Sequence, residues 1–429
     1  SLSIVNYLRK HGDIEVDFYD IDGLRPTYEN VLRRISKSAP DVLGISAVVS
    51  TSYAYTRRLA NDVRRLLPDT LIVVGGSMAA SAEVLLNRTP IDLCVLGEGE
   101  RIFLNIVKRA RTTKRPADFA DIPGIVLAND NGELVNTGYE QQLDKPDVYD
   151  VEWPDLEKNS VIGVYITQPI SGDDVPEWLS VDARSLDPAR RDKTHGMLVG
   201  SKGCVAKCTF CHRWDKGIRY IPIDILKRRL TDLVARYNLG FLTMGDENFG
   251  TDKRWLQAFC EMIKPFDLMW RVGGMRVNCV SPEQLTMMRD AGCIGVSYGM
   301  ETGSPKMLQI MEKKTTIEDN RNAFRWTLEA GLWTSIQLVV GMPGEDRETI
   351  QDTIDFTSYA MTLDEKLRSN DLSINYAQAL PGTPLYEFAR RRGMIGAGID
   401  GEEEYLLRIS DRDAHDEETT LNFTDSPGL

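Results

Sequence analysis

The chain has 429 residues and a formal net charge of −13. Its length predicts two or three domains with ample core. It contains no apolar run of the roughly 18 residues that a membrane span requires, and no secretory signal opens it. The acidity disfavours a nucleic-acid substrate. Three of its seven cysteines lie in one short segment, which indicates a reducing compartment, the cytoplasm, rather than a disulfide framework.

Residues 1–110 alternate apolar runs with amphipathic helices. The runs Val42–Ser46, Leu71–Val74 and Leu93–Leu96 predict parallel strands. This alternation is typical of an α/β, Rossmann-like domain, which binds ligands beyond the carboxyl ends of its strands. Leu2–Lys10 is predicted to be a helix without a strand before it, so we expect a leading strand ahead of it.

Small, hydroxylated and glycine residues follow these three strands. They let the backbone approach a large flat ligand closely, although tight turns of an ordinary Rossmann-like domain have the same composition. No G-x-G-x-x-G sequence is present, so NAD and FAD are not expected. The candidate binding residues at these strand ends are Ser46, Ser50, Thr51, Gly75, Gly76, Ser77, Gly97, Glu98 and Gly99.

Residues 111–193 are predicted to be a connector. Within it, Gly124–Ala128 and Leu134–Thr137 flank an Asn-Asp-Asn-Gly turn and predict a β-hairpin. Asp173–Arg191 is polar and charged, which favours a surface loop. At the other end of the chain, residues 396–429 form an acidic C-terminal segment.

Residues 194–395 contain six strand–helix units, which predict a partial (β/α)6 barrel with its chemistry on the loops after the strands. Ser281 before Pro282 marks one helix start, and Thr316 with Asp319 marks another. The strands are predicted near Met197–Val199, Phe241–Met244, Met269–Val272, Ile294–Tyr298, Thr334–Val340 and Leu372–Ala379.

Three cysteines, Cys204, Cys208 and Cys211, lie on one loop after the first barrel strand. Thiolates are the usual ligands of iron–sulfur clusters. Three ligands leave one iron of a four-iron cluster open, as a catalytic cluster requires. Zinc remains an alternative, but it needs a fourth ligand from elsewhere. A disulfide fits an odd number of cysteines poorly.

Charged and glycine-containing turns follow the other barrel strands. Asp246 and Glu247 suit an ammonium group presented to an open iron. Glu301 can accept hydrogen bonds from a ribose or act as a helix N-terminal charge. Arg276 can pair with a ligand carboxylate or with Glu301. The candidates at these ends are Gly245, Asp246, Glu247, Arg276, Glu301, Gly341, Ala379 and Leu380.

The Cys-x-x-x-Cys-x-x-Cys sequence with Phe210 before its last cysteine is followed in order by GMPGE at 341–345 and PGTPLY at 381–386. Behind an N-terminal α/β domain, this order resembles the cobalamin-dependent radical S-adenosylmethionine (SAM) enzymes. The resemblance implies that the three cysteines bind a 4Fe–4S cluster. It also implies that Gly245, Asp246 and Glu247 contact the methionine amine of SAM, and that Glu301 contacts its ribose.

The same resemblance places cobalamin at the strand ends of the first domain. One departure is that the Asp-x-His-x-x-Gly sequence of other cobalamin proteins is absent. None of the four histidines lies in a suitable loop, so we expect no histidine to ligate the cobalt from below.

The resemblance implies a class B radical SAM methyltransferase. Such an enzyme methylates an unactivated carbon of a small-molecule or natural-product intermediate, and it needs an external flavodoxin- or ferredoxin-type electron donor. A non-methylating cyclase or ring-rearranging enzyme is a second interpretation, and a cobalamin- or redox-sensing binding protein a third. A tRNA methylthiotransferase normally needs a second cluster in the first domain, where only Cys94 is available.

Overall fold

The computed structural model of the protein describes residues 1–48, 50–143, 152–170, 175–212, 217–363, 372–412, 420–424 and 426. In these ranges the chain builds two main β-sheets, each flanked by helices. No helix in the described part of the chain has the length and apolarity to cross a membrane.

The first sheet has five strands in the order β1-β2-β3-β4-β5. The first three are parallel, as predicted, and the hairpin β4–β5 adds antiparallel to β3. The hairpin expected in the connector is therefore present, and it extends the first sheet because Val95 pairs with Ile125. The strands are β1 (Val42–Ser46), β2 (Leu71–Gly75), β3 (Leu93–Val95), β4 (Ile125–Ala128) and β5 (Leu134–Asn136).

Helices cover this sheet through apolar residues at helical spacing. In α4, Tyr53, Ala60 and Val63 are fully buried. In α3, the N-cap Thr27 accepts a hydrogen bond from the Asn30 amide, which satisfies one of the free donors of the first turn. The helices are α1 (Leu2–His11), α2 (Ile21–Leu24), α3 (Tyr28–Ser38), α4 (Tyr53–Leu66), α5 (Ala82–Arg88) and α6 (Gly99–Ala110).

Three short helices follow: α7 (Trp153–Asn159), α8 (Ile162–Tyr165) and α9 (Glu177–Ser180). The expected surface loop over Asp173–Arg191 is wrong in its described part. Leu179 of α9 is fully buried and packs with Phe241. Val175 and Trp178 pack against the same cluster, so the gain from burying these apolar side chains outweighs the polar character of their neighbours.

The second sheet has six parallel strands in the order β13-β12-β11-β10-β9-β6, so the predicted partial barrel is confirmed. A small antiparallel ladder, β7–β8, lies beside it. The strands are β6 (Thr194–Leu198), β7 (Ser201–Lys202), β8 (Arg219–Tyr220), β9 (Leu239–Met244), β10 (Met269–Met275), β11 (Cys293–Glu301), β12 (Trp333–Val340) and β13 (Leu372–Tyr376).

Both predicted helix starts in the barrel are confirmed. Ser281 accepts from the Gln284 amide, and Thr316 and Asp319 form a reciprocal capping box. The helices are α10 (Ile223–Tyr237), α11 (Lys253–Ile263), α12 (Pro282–Asp290), α13 (Pro305–Ile310), α14 (Ile317–Glu329), α15 (Arg347–Leu363), α16 (Pro384–Arg391) and α17 (Gly398–Arg408).

One apolar cluster joins the two sheet regions. Met78 and Leu85 of the first region belong to the same buried cluster as Met342 and Leu385 of the second. At Gly382, with φ +85°, an added Cβ would lie 3.0 Å from the Ala80 Cβ. The two regions therefore pack directly against each other.

Candidate active site between the two sheets

The cysteine loop is held in place by its backbone. The Thr209 amide donates to the Met311 carbonyl at 3.1 Å, and the Leu385 amide donates to the Thr209 carbonyl at 3.1 Å. Gly203 turns the chain into the loop with φ +90°, a conformation that glycine adopts without strain. The middle of the loop is thus fixed to the helices after β11 and β13.

Three thiols lie on this loop, although no three His, Cys, Asp or Glu side chains of the described residues converge on the position of a single metal ion. Cys208 is buried, Cys204 is half-buried and Cys211 is exposed. The Ala206 amide donates to the Cys204 sulfur at 3.4 Å. Desolvation, reinforced by Cys208 and Cys204, raises the pKa of the Cys211 thiol to about 11. Phe210 packs against the shared apolar cluster. The predicted cysteines are therefore brought together on a fixed loop.

The two acidic residues after β9 have different surroundings. Asp246 is buried, and its carboxylate accepts from the Gly200 amide at 3.0 Å and from the Ser201 hydroxyl at 2.5 Å. Burial raises the pKa of Asp246 to about 6. Glu247 and the preceding Gly245 are exposed. Asp246 thus holds the start of the cysteine loop, whereas Glu247 lies at the surface.

Glu301 forms a buried ion pair that the sequence did not predict. It lies at the end of β11 with φ 66°, and its carboxylate is 2.5 Å from the Lys313 ammonium. The Arg276 guanidinium donates to the Lys313 carbonyl, so Lys313, rather than Arg276, is the ionic partner of Glu301. A Cβ at Gly299 would lie 2.5 Å from the Glu301 carboxylate, so glycine leaves room for the pair.

These strand ends lie close to the cysteine loop. Glu247 raises the pKa of the Cys211 thiol and Lys313 lowers it. Burial raises the pKa of Cys279, and Cys204 raises it further. Sequence reasoning missed Lys313 and the position of Cys279, because neither belongs to a local motif.

The remaining predicted barrel residues form closed turns. Gly341 has φ +86°, and its amide donates to the Glu345 carboxylate. Burial raises the pKa of Glu345. The Ala379 carbonyl accepts from the Tyr405 hydroxyl at 2.9 Å, and the Leu380 carbonyl accepts from the Thr383 hydroxyl at 2.7 Å. Glu345, the last residue of GMPGE, therefore shapes its own turn.

A cavity of about 2170 Å³ lies beside β1, the edge strand of the first sheet, and includes the carboxyl ends of the first three strands. It extends along β1 and reaches Met197 and Val199 at the end of β6. Its wall includes six of the predicted first-domain residues: Ser46, Thr51, Gly75, Gly76, Gly97 and Gly99. The carboxyl ends of the first sheet and of β6 therefore border one space.

Two glycines shape this wall for different reasons. Gly76 has φ +88°, and a Cβ there would lie 2.4 Å from the Ala47 carbonyl oxygen, so the backbones are too close for a side chain. Gly97 has φ +80° and open space within 4 Å of an added Cβ. A flat ligand can therefore approach the backbone at Gly97.

Three predicted first-domain residues have other environments. Ser50 begins a 3-10 turn, Ser50–Ser52. The Ser77 hydroxyl donates to the Val48 carbonyl. The Glu98 carboxylate lies 3.0 Å from the Lys202 ammonium and accepts from Arg219 at 3.1 Å.

Glu98 thus connects the first sheet to the β7–β8 ladder. Lys202 lies two residues before Cys204, and the Leu143 amide also donates to Glu98, at 3.2 Å. The Glu98 side chain is about nine-tenths buried. We call the contact of Glu98 with Lys202 and Arg219 the inter-sheet ion cluster.

These residues fit the cofactors implied by the sequence. Three neighbouring thiols on a fixed loop match the donor set of a site-differentiated iron–sulfur cluster. The cavity edge at Gly97, which a Cβ would partly fill, matches a flat macrocycle. No histidine borders that cavity among the described residues.

Comparisons with known proteins agree with this arrangement. A model of the Radical SAM superfamily matches residues 198–357, and a model of the B12 binding domain matches residues 2–107. The chain therefore carries a B12 binding domain followed by a Radical SAM domain, and the predicted resemblance, fold class and cofactors (4Fe–4S cluster, SAM and cobalamin) are confirmed.

The relatives differ in their activities. The chain is 27% identical over 357 residues to an anaerobic magnesium-protoporphyrin IX monomethyl ester cyclase of Rubrivivax gelatinosus, covering 82% of this chain and 60% of that protein. It is 25% identical over 403 residues to an uncharacterized methyltransferase of Pyrococcus horikoshii, covering 91% and 78%. The chain thus spans less than two thirds of the cyclase.

A solved structure has the same fold over most of the chain. This is the radical SAM methyltransferase TsrM from Kitasatospora setae, bound to tryptophan and a SAM analog. It superposes with a TM-score of 0.65 at 20% identity, covering 91% of this chain and 72% of that one.

Proposed function

We propose that the protein is a cobalamin-dependent radical SAM methyltransferase acting on an unactivated carbon of a small molecule. The observation that carries the proposal is that one cavity borders both the glycine-lined end of the first sheet and the end of β6, the strand that leads into the cysteine loop. When bound, the cluster with SAM supplies a 5′-deoxyadenosyl radical, and methylcobalamin supplies the methyl group.

Each side chain has a role in this proposal. Cys204, Cys208 and Cys211 hold the cluster, and Glu247, exposed beside Cys211, accepts hydrogen bonds from the SAM amine. Glu301 accepts from the SAM ribose, and its ion pair with Lys313 orients the carboxylate.

The supporting residues fix these groups without touching the reactants. Asp246 holds the start of the cysteine loop through Ser201 and Gly200. The Gly341 turn is closed by Glu345, and the backbone at Ala379 and Leu380 is held by hydroxyl groups. Such preorganisation reduces the reorganisation needed when SAM binds.

The proposal includes an external one-electron donor of the flavodoxin or ferredoxin type. A radical SAM cluster must be reduced in each cycle, and the described residues contain no second cluster of cysteines that could relay the electron.

A second candidate is a cyclase or ring-rearranging enzyme without net methylation. It is favoured by the likeness to the Rubrivivax gelatinosus cyclase, which covers 82% of this chain. The two candidates share every cofactor contact described above, so the fate of the methyl group distinguishes them.

The test uses SAM labelled in its methyl group, with reconstituted protein, a strong one-electron reductant and candidate substrates under anaerobic conditions. The methyltransferase predicts 5′-deoxyadenosine together with a labelled product. Deoxyadenosine with an unlabelled product supports the cyclase, and an absence of deoxyadenosine with a fully loaded cluster contradicts both.

A further inference from the structure

The inner face of the barrel has an apolar floor. Phe241, Met269 and Ile294 from three neighbouring strands pack there with Leu179 of α9, and all four are buried. Because side chains alternate along a strand, the next inward residues on β9 and β10 are Thr243 and Arg271. A polar layer therefore lies directly on the floor.

Arg271 is the cation of this layer. Its Nε donates to the Thr243 hydroxyl at 3.1 Å, and its guanidinium carbon lies 4.5 Å from the centre of the Trp178 ring. Thr243 also contacts His195, with 2.8 Å between the Thr243 Oγ1 and the His195 Nε2. Burial and the nearby Arg271 lower the pKa of His195 to about 4. The histidine is therefore neutral at pH 7.

No carboxylate of the described residues lies within ion-pair distance of Arg271. The cations nearer the barrel mouth are engaged, since Lys313 pairs with Glu301 and Arg276 donates to the Lys313 carbonyl. Burial lowers the pKa of Arg271, which reflects the cost of partly desolvating an arginine without an anion. Partly burying a guanidinium without an anionic partner costs free energy, and an anionic ligand would offset that cost.

Few side chains lie above Arg271 on the inner face, and the Met197 sulfur is the nearest group to Gly245, 2.8 Å from the position of an added Cβ. Two residues further along β10 is Gly273, and two residues beyond Thr243 is Gly245, so both inward positions lack a side chain. Both glycines are exposed, as is Met197 on β6. These exposed positions therefore lead from the barrel mouth towards the guanidinium, with the Met197 side chain beside them.

We propose that Arg271 binds an anionic group, a carboxylate or a phosphate, of the substrate at the bottom of the barrel, with Thr243 and Trp178 orienting its guanidinium. This inference rests on the proposed function and adds the chemical class of the substrate. The planar guanidinium presents two parallel N–H donors that match either oxyanion. Binding the anion at the floor directs the rest of the substrate towards the mouth, where the cysteine loop lies.

The test measures anion binding to the cluster- and cobalamin-reconstituted protein. Sodium phosphate and, separately, sodium benzoate are titrated calorimetrically at constant ionic strength, for the wild type and Arg271→Gln. We expect saturable binding of at least one anion to the wild type, and about tenfold or greater weakening in the variant, because a charged hydrogen-bonding partner is lost.

The matched control is Arg254→Gln, which removes the same charge from an exposed site on α11. It should bind the anion as the wild type does. Arg271→Lys keeps the charge but loses the paired donors, so we expect a smaller, several-fold weakening; it also serves if Arg271→Gln does not fold.

The outcomes are distinct. Saturation by phosphate alone supports a phosphorylated substrate, and saturation by benzoate alone supports a carboxylic acid. Equal binding to the wild type and Arg271→Gln, or no saturable binding of either anion, overturns the proposal. Deoxyadenosine formation is measured in parallel without added anion: its absence from loaded wild-type protein contradicts the proposed function, whereas the binding result concerns Arg271 alone.

Discussion

The carboxyl ends of the two sheets are built in opposite ways. The first sheet ends in glycine and small residues, and the nearby acidic side chain, Glu98, contacts Lys202 and Arg219. The second sheet ends in thiols and charged groups, among them Glu247 and the buried pair of Glu301 and Lys313. The comparison indicates that the first sheet accommodates a ligand mainly through the shape of its backbone. The second sheet is expected to bind its ligands mainly through the chemistry of its side chains.

The largest effect is expected at the carboxyl ends of the second sheet, where side chains are expected to bind the cluster. Cys208→Ala should abolish the absorbance of the reconstituted cluster and all deoxyadenosine production, because two thiolates cannot hold the cluster. The control is Cys260→Ala, a buried core cysteine of α11, which should retain both signals. Retention of both by Cys208→Ala would remove this residue from the ligand set.

An intermediate effect is expected at the buried ion pair. Glu301→Gln leaves the Lys313 ammonium buried without its partner, since their side chains are only 10% and 7% exposed. We expect the free energy of unfolding in urea to fall by about 3–5 kcal/mol.

Glu387→Gln is the matched substitution in an exposed pair with Arg390, whose side chains are 51% and 42% exposed. It should cost less than about 1 kcal/mol. Similar losses in the free energy of unfolding for the two variants would mean that the buried ion pair does not stabilise the carboxyl ends of the second sheet. The difference drawn between the two sheets would then lose support.

The smallest effect is expected at the carboxyl ends of the first sheet, where glycine leaves the backbone uncovered. Gly97→Ala places a methyl group in the cavity, and we expect hydroxocobalamin to bind about tenfold more weakly, equivalent to about 1–2 kcal/mol of steric conflict. Retained cobalt per chain after dialysis measures this effect.

Gly132→Ala is the control, because Gly132 has φ +78° and likewise no atom within 4 Å of an added Cβ, but it lies in the β4–β5 turn. Both variants should suffer the same backbone penalty, about 1–2 kcal/mol. If both retained equal cobalt, Gly97 would not face the corrin.

Features encoded locally could be predicted from the sequence. Thiol spacing, strand alternation and the Thr316 cap each depend on residues close in the chain, so the cluster loop, the six barrel strands and that helix start were found. The hairpin was also found, but its pairing with β3 depends on which sheet edge is available, and no local pattern records that.

Features that depend on distant partners could not be predicted. Lys313 pairs with Glu301 only because a bulge in β11 and the turn after α13 meet. Leu179 lies in a largely polar segment, and only the structure shows that it packs against the floor of the barrel. Arg271 looks like a surface residue of an alternating strand, since the sequence does not tell which face of a half-barrel is the inner one.

The inter-sheet ion cluster ties the spacing of the two cofactors to a single carboxylate. Lys202 is two residues from the first cluster thiol, and Glu98 is next to the glycine that borders the corrin cavity. Because Glu98 is largely shielded from solvent, dissolved salt screens these contacts only weakly. Under the proposed function, the distance between the cluster and the cobalamin is therefore maintained by contacts that salt weakens little, whichever molecule lies between them.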